Sequence, residues 1–395
     1  MTSFPTTEAA PDPVARLDRL EAYLLGDPDN ETLLAEAFSL ALRCAAWTRA
    51  ESHLRHAQVL WPDSLAWALR GAEYWLARGE MQRASELLAG LQALPNQPPA
   101  FTDTVLHNLA FIDFQAGRYA ACVARLAQRM EAPNASGTLG AMDVLWLRAL
   151  HHAGEPERAT RWASQREQRS ALNGRAAGVA SLAALDAGQS AEASRWSLQD
   201  FAEDQAMPTT EALVTQSSLA LAEADAAKAR NFAMVALNRQ PSDGRARSAL
   251  AFAELLEGNL REAVAQFDGA LQAMPSHIGT WHGLGWAQLM MNDLEGAQAS
   301  FEKALELDRN FAESHGGLAV VLAMKQNAPA AQLHIDKAMR LDGTNLSGRF
   351  AQSMLRGETA PAQFSRLAER LLAGKTAPNG SSLLAVVMNA LRSSR

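Results

Sequence analysis

The sequence predicts an all-α fold in which short helical hairpins repeat along the chain. The first observation is a period of 34 residues: Ala263, Ala297 and Ala331 recur at that spacing, as do Phe267 and Phe301. The second is the abundance of alanine, which loses no side-chain entropy in a helix. The third is that glycine and proline recur at separated positions, where hairpins need their turns.

Two kinds of side chain alternate within the repeat. Small residues such as Gly285 and Ala297 stand where the two helices of a hairpin approach most closely, since a large side chain would push them apart. Large residues such as Leu284 and Phe301 fill the spaces between neighbouring hairpins. Because a single hairpin cannot bury its apolar faces alone, the hairpins stack into a solenoid.

The turns inside the hairpins carry residues that tolerate unusual backbone angles. These residues are Gly79, Gly117, Gly154, Gly188, Gly258 and Asn292. A residue in the left-handed conformation just past a helix ends that helix at little cost, and Gly and Asn adopt it most readily. We therefore expect the left-handed conformation at these six positions.

The repeat around Trp281 resembles the tetratricopeptide-repeat (TPR) family. The pattern of that family is W-x2-L-G-x2-Y, then A-x3-F, then P, at a period of 34 residues. Trp281, Leu284 and Gly285 match its first part, and Ala297 and Phe301 match its second. The resemblance implies a right-handed superhelical solenoid whose concave groove is lined by the first helix of each repeat.

We predict three regions. About nine helix-turn-helix repeats occupy residues 31–345, with the clearest copies at 210–345. Residues 1–30 are predicted to be a tail and a capping helix, which starts at Asp12-Pro13, carries an apolar stripe and ends at Gly26. Residues 346–395 are predicted to be a degenerate repeat and capping helices. Within them, the pattern of Ser381–Arg392 predicts an amphipathic helix, which either caps the array or forms a detachable, autoinhibitory segment.

The resemblance also indicates which side chains face the groove. The predicted partner-binding residues are Phe111, Phe114, Phe252, Leu255, His282, Trp286, Leu289, Met290, Val320 and Met324. Most are apolar or aromatic. Some family members bind carboxylates through a clamp of Lys, Arg and Asn side chains. Near the groove positions of the clear repeats, Arg245 is the only residue of these three types. An apolar groove suits an amphipathic helix or an extended hydrophobic segment. The alternative is that these side chains pack against the capping helix.

Composition narrows the possible functions. The net charge of −7 argues against nucleic-acid binding, which needs a concentrated basic surface. No run of about 18 apolar residues predicts a membrane span, and the first residues do not resemble a signal peptide. Cys44 and Cys122 are the only cysteines, which fits a reducing compartment, so we expect a cytoplasmic protein. Five lysines among 36 basic residues indicate a GC-rich, bacterial source.

No motif for catalysis, cofactor binding or metal binding is apparent. His151 and His152 are adjacent, so on a helix they diverge by about 100° and do not readily grip one ion. Cys122 occupies a small-residue position of its repeat, which predicts a packing role. Gly283 and Gly285 lie inside a predicted helix, without the strand-to-helix turn of a phosphate loop. We therefore predict a protein that is not an enzyme and carries no cofactor.

The predicted function is a non-catalytic scaffold or adaptor that binds a hydrophobic peptide or amphipathic helix. Two alternatives remain open: a dedicated chaperone for a secreted or assembling partner, and a regulator that clamps a partner enzyme. Self-association into a homo-oligomer is also open, because fold does not select among these functions.

Overall fold

The fold is described from a computed structural model, which describes residues 12–132, 140–202 and 207–358. In these ranges the secondary structure is helical throughout, with twenty α-helices and no strand. The predicted all-α fold class is therefore confirmed. The predicted helix at Ser381–Arg392 lies outside the described residues, as does the N-terminal tail before Asp12.

The chain divides into two compact units, residues 1–154 and residues 155–395. The helices of unit 1 are α1 (Pro13–Gly26), α2 (Glu31–Arg43), α3 (Trp47–Leu60), α4 (Leu65–Ala77), α5 (Met81–Gln92), α6 (Pro99–Gln115), α7 (Tyr119–Met130) and α8 (Ala141–His152). Those of unit 2 are α9 (Pro156–Gln168), α10 (Gly174–Asp186), α11 (Ser190–Phe201), α12 (Thr210–Ala222), α13 (Ala226–Arg239), α14 (Gly244–Glu257), α15 (Leu260–Ala273), α16 (Ile278–Met290), α17 (Leu294–Leu307), α18 (Ala312–Met324), α19 (Ala328–Leu341) and α20 (Leu346–Leu355). In chain order, α2 to α19 form nine consecutive pairs, in agreement with the predicted number of repeats.

A left-handed residue ends the first helix of every pair. The six predicted positions have φ between 61° and 80°. The remaining pairs use Ala45, Ala224 and Gln326, with φ of 52°, 58° and 59°. After Gly258, the amide of Asn259 donates to the carbonyl of Glu254 at 2.9 Å, which satisfies a carbonyl that the helix leaves unpaired. The same turn geometry thus recurs in all nine pairs, whether or not glycine supplies it.

The first helix of unit 1 begins as predicted. The Asp12 carboxylate accepts a hydrogen bond from the Val14 amide at 3.0 Å, and Pro13 stands at the first helical position. Leu17, Leu20 and Leu24 are buried against the helices that follow. Val14 is 46% exposed, so the buried apolar stripe of α1 begins at Leu17.

In unit 2, two phenylalanine rings set the distance between neighbouring helices. Phe301 is fully buried, and a Cβ atom placed on Gly285 or Gly317 would lie 2.8 Å or 2.6 Å from its ring. Phe267 is buried in the same way, 2.6 Å from a Cβ atom placed on Gly283. The predicted roles of small residues at close approaches and large residues in the hollows are therefore confirmed.

A column of buried hydroxyl groups also connects the first helices of unit 2. The column consists of Ser181, Thr215, Ser248, Thr280 and Ser314, each at most 4% exposed. The Ser181 hydroxyl donates to Thr215 at 2.9 Å, and the Ser248 and Thr280 hydroxyls are also 2.9 Å apart. Because a buried hydroxyl without a partner costs about 1–3 kcal/mol, these pairs favour one register between neighbouring helices.

We predict that Gly317→Ala destabilises the protein, because the added methyl group meets the ring of Phe301. The expected loss is about 1–3 kcal/mol, the usual cost of overpacking a filled core. Gly90→Ala is the matched control, since no atom lies within 4 Å of the added methyl group in the last turn of α5. That control should be neutral or stabilise by about 0.5–1 kcal/mol. Urea unfolding of both variants measures the difference, and equal unfolding free energies would contradict the packing argument.

Candidate partner-binding groove

Five of the predicted groove residues of unit 2 fall in two rows across its first helices. Phe252, Trp286 and Val320 lie at a spacing of 34 residues on α14, α16 and α18, and Met354 on α20 continues this row. Leu256, Met290 and Met324 form the second row, four residues further along the same helices. We call these seven residues the groove face. Leu256 and Met354 were not among the predicted binding residues.

Two predicted residues are buried rather than available at the surface. Val320 is 1% exposed and Leu289 is 8% exposed, and both belong to the core formed by α16 to α20. Trp286 and Met354, which are larger and only partly buried, pack against the same core. The neighbouring helix α20 also covers α18, because a Cβ atom on Gly316 would lie 2.4 Å from the side chain of Asn345. Val320 is therefore the buried member of the groove face, and Leu289 lies in the core beneath it.

Trp286 is held in a fixed orientation by its neighbours. Its Nε1–H group donates to Nε2 of His282 at 3.0 Å, and its ring meets that of Phe301 edge to face at 5.8 Å between centroids. Because Nε2 accepts, the proton of the neutral imidazole lies on Nδ1, which is 3.3 Å from the Ser314 hydroxyl. Burial lowers the pKa of His282 to about 4, so this ring is neutral at pH 7.

The neighbours of His282 are mainly aromatic. It lies among aromatic rings, 5.5 Å from Phe301 and 5.7 Å from Phe311 between centroids. It orients Trp286 and connects α16 to α18 through Ser314. The sequence indicated the helix on which His282 lies, but the hydrogen bond to Trp286 depends on side-chain rotamers that a repeat pattern does not specify.

Phe252 and Leu255 lie in the adjacent apolar core formed by α14, α15 and α16. The ring of Phe252 meets that of Phe267 edge to face, at 4.9 Å between centroids. Both residues are partly exposed, so each combines packing with an accessible edge. Such half-buried aromatic side chains are typical anchors of protein interfaces.

The methionine row is the more open part of the groove face. Met290 is partly exposed and Met324 is 38% exposed, and the neighbouring Met291 is 42% exposed. All three lie at the ends of α16 and α18. The unbranched thioether side chain adapts its shape to different contacts, so this end can follow partners of varied surface.

Several cations of unit 2 are already paired within the protein. Arg230 donates to Glu254 at 2.9 Å and 2.6 Å and also contacts Glu257. Lys325 lies 2.8 Å from Glu295. Arg245 is the one cation near the predicted carboxylate-clamp positions. It forms a bidentate ion pair with Asp186, with distances of 2.9 Å and 2.7 Å. Its charge is therefore already balanced before any ligand binds.

In unit 1, the two predicted groove residues each contact other aromatic rings. Phe114 meets Tyr119 and His152 edge to face at 5.2 Å and 5.5 Å, and the Tyr119 and His152 rings stack at 4.8 Å between centroids. Phe111 stacks on His107 at 6.5 Å. Both phenylalanines are partly buried. They form a candidate surface of unit 1 by themselves.

The other residues that could carry chemistry have structural surroundings. Cys122 is fully buried, and burial raises the pKa of its thiol to about 12, far from a reactive thiolate. Within the described ranges, no group of three or more His, Cys, Asp or Glu is arranged to hold a metal ion. None of the described helices combines the length and hydrophobicity of a membrane span.

Comparison with known proteins supports the repeat assignment. Residues 279–311 match the family model described as tetratricopeptide repeat. A structure of the Cut9-Hcn1 hetero-tetramer of the APC/C has a similar fold, with a TM-score of 0.52, 14% identity, and coverage of 87% of this chain and 81% of that chain. Residues 279–311 thus match the tetratricopeptide repeat in sequence, and most of the chain matches a solenoid of such repeats in fold.

Further solved structures show more distant similarity. Human IFIT1, solved as a dimer with m7Gppp-AAAA, gives a TM-score of 0.48 at 14% identity and covers 96% of this chain and 95% of that chain. MamA from Desulfovibrio magneticus RS-1 gives a TM-score of 0.34 at 21% identity and covers 42% and 92%, respectively. No curated protein matches the sequence.

We predict that acid destabilises unit 2 partly through His282. The folded-state pKa near 4 lies below the ordinary value of 6.5, so only the unfolded chain takes up this proton between those values. The contribution of His282 is therefore complete above pH 6.5 and declines as the pH falls towards 4. At pH 5 the loss should be about 2 kcal/mol.

His282→Gln provides the comparison, because an amide oxygen can still accept from Trp286 but does not titrate. Urea unfolding at pH 7 and pH 5 should show a smaller decrease in stability for the variant than for the wild type. Carboxyl groups whose pKa is raised by partial desolvation, such as those of Asp243 and Asp268, act in the opposite direction but are present in both proteins. An identical decrease in both proteins would refute the assignment to His282.

Proposed function

We propose that this protein is a non-catalytic scaffold or adaptor, and that the groove face of unit 2 binds the apolar side of a partner's amphipathic helix. The proposal is carried by one observation: side chains in register on successive helices form a partly exposed apolar surface, in place of the polar residues expected on a solvent-facing helix. We further propose that the partner is a protein rather than a nucleic acid, since the net charge is −7. A cytoplasmic, bacterial setting remains part of this proposal.

The arrangement supports helix binding in particular. An amphipathic helix presents apolar residues at intervals of three and four, about 5–6 Å apart, so it can contact both rows of the groove face at once. Trp286 and Phe252 supply anchors that are already oriented, which lowers the entropy lost on binding. Burial of apolar surface then provides most of the favourable free energy.

A chaperone for an assembling or exported partner is the second candidate. The observation in its favour is the methionine row, because methionine surfaces adapt to clients of different sequence. A regulator that clamps an enzyme would bury the same apolar surface, and so would a homo-oligomer. The number of different partners retained by one groove separates the adaptor from the chaperone.

We predict that Met324→Glu weakens partner binding by about tenfold or more, because a carboxylate would be transferred from water to an apolar interface. Leu333→Glu is the matched control: Leu333 is 54% exposed and lies on α19, the second helix of the same hairpin. Affinity purification from the source organism, with quantitative mass spectrometry, identifies proteins lost in the first variant and retained in the second. Titration of the purified partner then measures the change in Kd.

Met324→Glu should leave the helix content and the unfolding midpoint close to those of the wild type, since Met324 is exposed. Equal retention of every partner by both variants would refute binding at the groove face. Loss of one partner supports an adaptor, whereas loss of many unrelated partners supports the chaperone.

A further inference from the structure

The open end of the groove face carries an excess of negative charge. α14, α16 and α18 all end there, and the carbonyl groups at helix C-termini carry partial negative charge. Four carboxylates lie at this end, Glu254, Glu257, Asp293 and Glu295. The cations that pair with them are Arg230 and Lys325, so two negative charges remain unbalanced. At the end of α20, Arg356 and Glu358 cancel one another in charge.

This surface therefore fits a segment that is apolar along one side and basic at one end. Partners with acidic residues beside their apolar face would be repelled, because like charges would be brought together at low dielectric. The chain itself contains a segment of the required composition. Beyond Glu369 the sequence has no Asp or Glu, whereas Arg370, Lys375, Arg392 and Arg395 are basic.

The apolar residues of that segment have helical spacing. They include Leu384, Val387, Met388 and Leu391, which occupy positions i, i+3, i+4 and i+7 of one helix face. An amphipathic helix over residues 381–392 would place its one basic residue, Arg392, at the C-terminal end, where a helix dipole also favours a positive charge. The sequence thus supplies both the apolar side and the charge that the groove face requires.

The chain is long enough to bring this segment to the groove face. The 22 residues 359–380 connect Glu358 to Ser381 and reach up to about 70 Å when extended. The groove face runs from α20 to α14, which are three helix spacings apart, or about 30 Å at roughly 10 Å per helix. The extended connection is therefore longer than the groove face that it must span.

We propose that residues 381–395 of this chain occupy the groove face of unit 2, with Leu384 and Val387 against the apolar rows and Arg392 near the acidic end. The inference rests on the proposed function, since it uses the same surface. A segment tethered by a short linker has an effective concentration on the order of millimolar. An outside partner must displace it, so the segment sets a threshold of affinity or concentration that partners must exceed.

The test uses the full chain and a fluorescent synthetic peptide of residues 379–395. The variant Leu384→Glu/Val387→Glu places charges on the apolar side of the tethered segment. Fluorescence anisotropy should show that the peptide binds this variant at least tenfold more tightly than the wild type, because its site is no longer occupied. Arg392→Glu, which keeps the apolar side intact, should give a smaller gain of about threefold.

Two further substitutions locate the binding site. Adding Met324→Glu to the double variant should remove most of the gain, whereas adding Leu333→Glu should leave it unchanged. Circular dichroism and urea midpoints confirm that all variants are folded equally well. Raising the salt concentration should weaken peptide binding, because part of it depends on charge.

Equal peptide affinity for the wild type and the double variant would overturn the inference, as would failure of the peptide to bind either. Neither result touches the proposed function, which depends on whether Met324→Glu loses an outside partner. If the wild type instead forms dimers that dissociate in the double variant, the segment occupies the groove of a second copy, and the intramolecular form of the inference is wrong. Analytical ultracentrifugation at several concentrations distinguishes that outcome.

Discussion

The structure of unit 2 depends on the contact between buried phenylalanine rings and the backbone of neighbouring helices. Phe301 lies between Gly285 and Gly317, so closely that neither position has room for a methyl group. Phe267 has the same relation to Gly283. A ring pressed against backbone atoms cannot move aside as a flexible side chain can, so it fixes both the distance and the register of adjacent helices. The hydroxyl pairs of the first helices add a polar constraint on the same register.

The groove face is a consequence of this packing. Because the first helices are held in register, residues at equivalent repeat positions lie in rows rather than scattered over the surface. The same packing limits how much of each row is accessible. Every residue of α18 from Ser314 to Leu322 is buried, so that helix offers only its last residues to a partner. Exposed apolar area is therefore concentrated on α14, α16 and the end of α18.

The sequence predicted the structure best at positions where a steric requirement admits few residue types. The 34-residue period, the small residues beside Phe301 and the left-handed glycines all follow from steric requirements that few residues meet. Ala45, Ala224 and Gln326 were not predictable in this way, because a residue that only tolerates the left-handed conformation has no distinctive signal. The repeat pattern predicted which helix face carries the groove positions, but not how much of each side chain is exposed. Whether Val320 is covered depends on α20 and on the size of Trp286 and Met354, which lie in other repeats.

The groove face consists of an aromatic half with fixed side chains and a methionine half with flexible side chains. This division affects how partners are recognised. Trp286 and Phe252 each contact a second aromatic ring, and Trp286 also donates to His282, so both lose little freedom when a partner binds. Met290 and Met324 have more rotatable bonds and fewer fixed contacts, so they lose more entropy but accept more shapes.

Discrimination between partners should therefore arise mainly at the aromatic half, where the shape is set in advance. The methionine half, with its excess of negative charge, instead favours any apolar segment that carries basic residues. A partner that satisfies both halves gains the affinity needed to displace a weaker occupant, and one that satisfies only the methionine half does not.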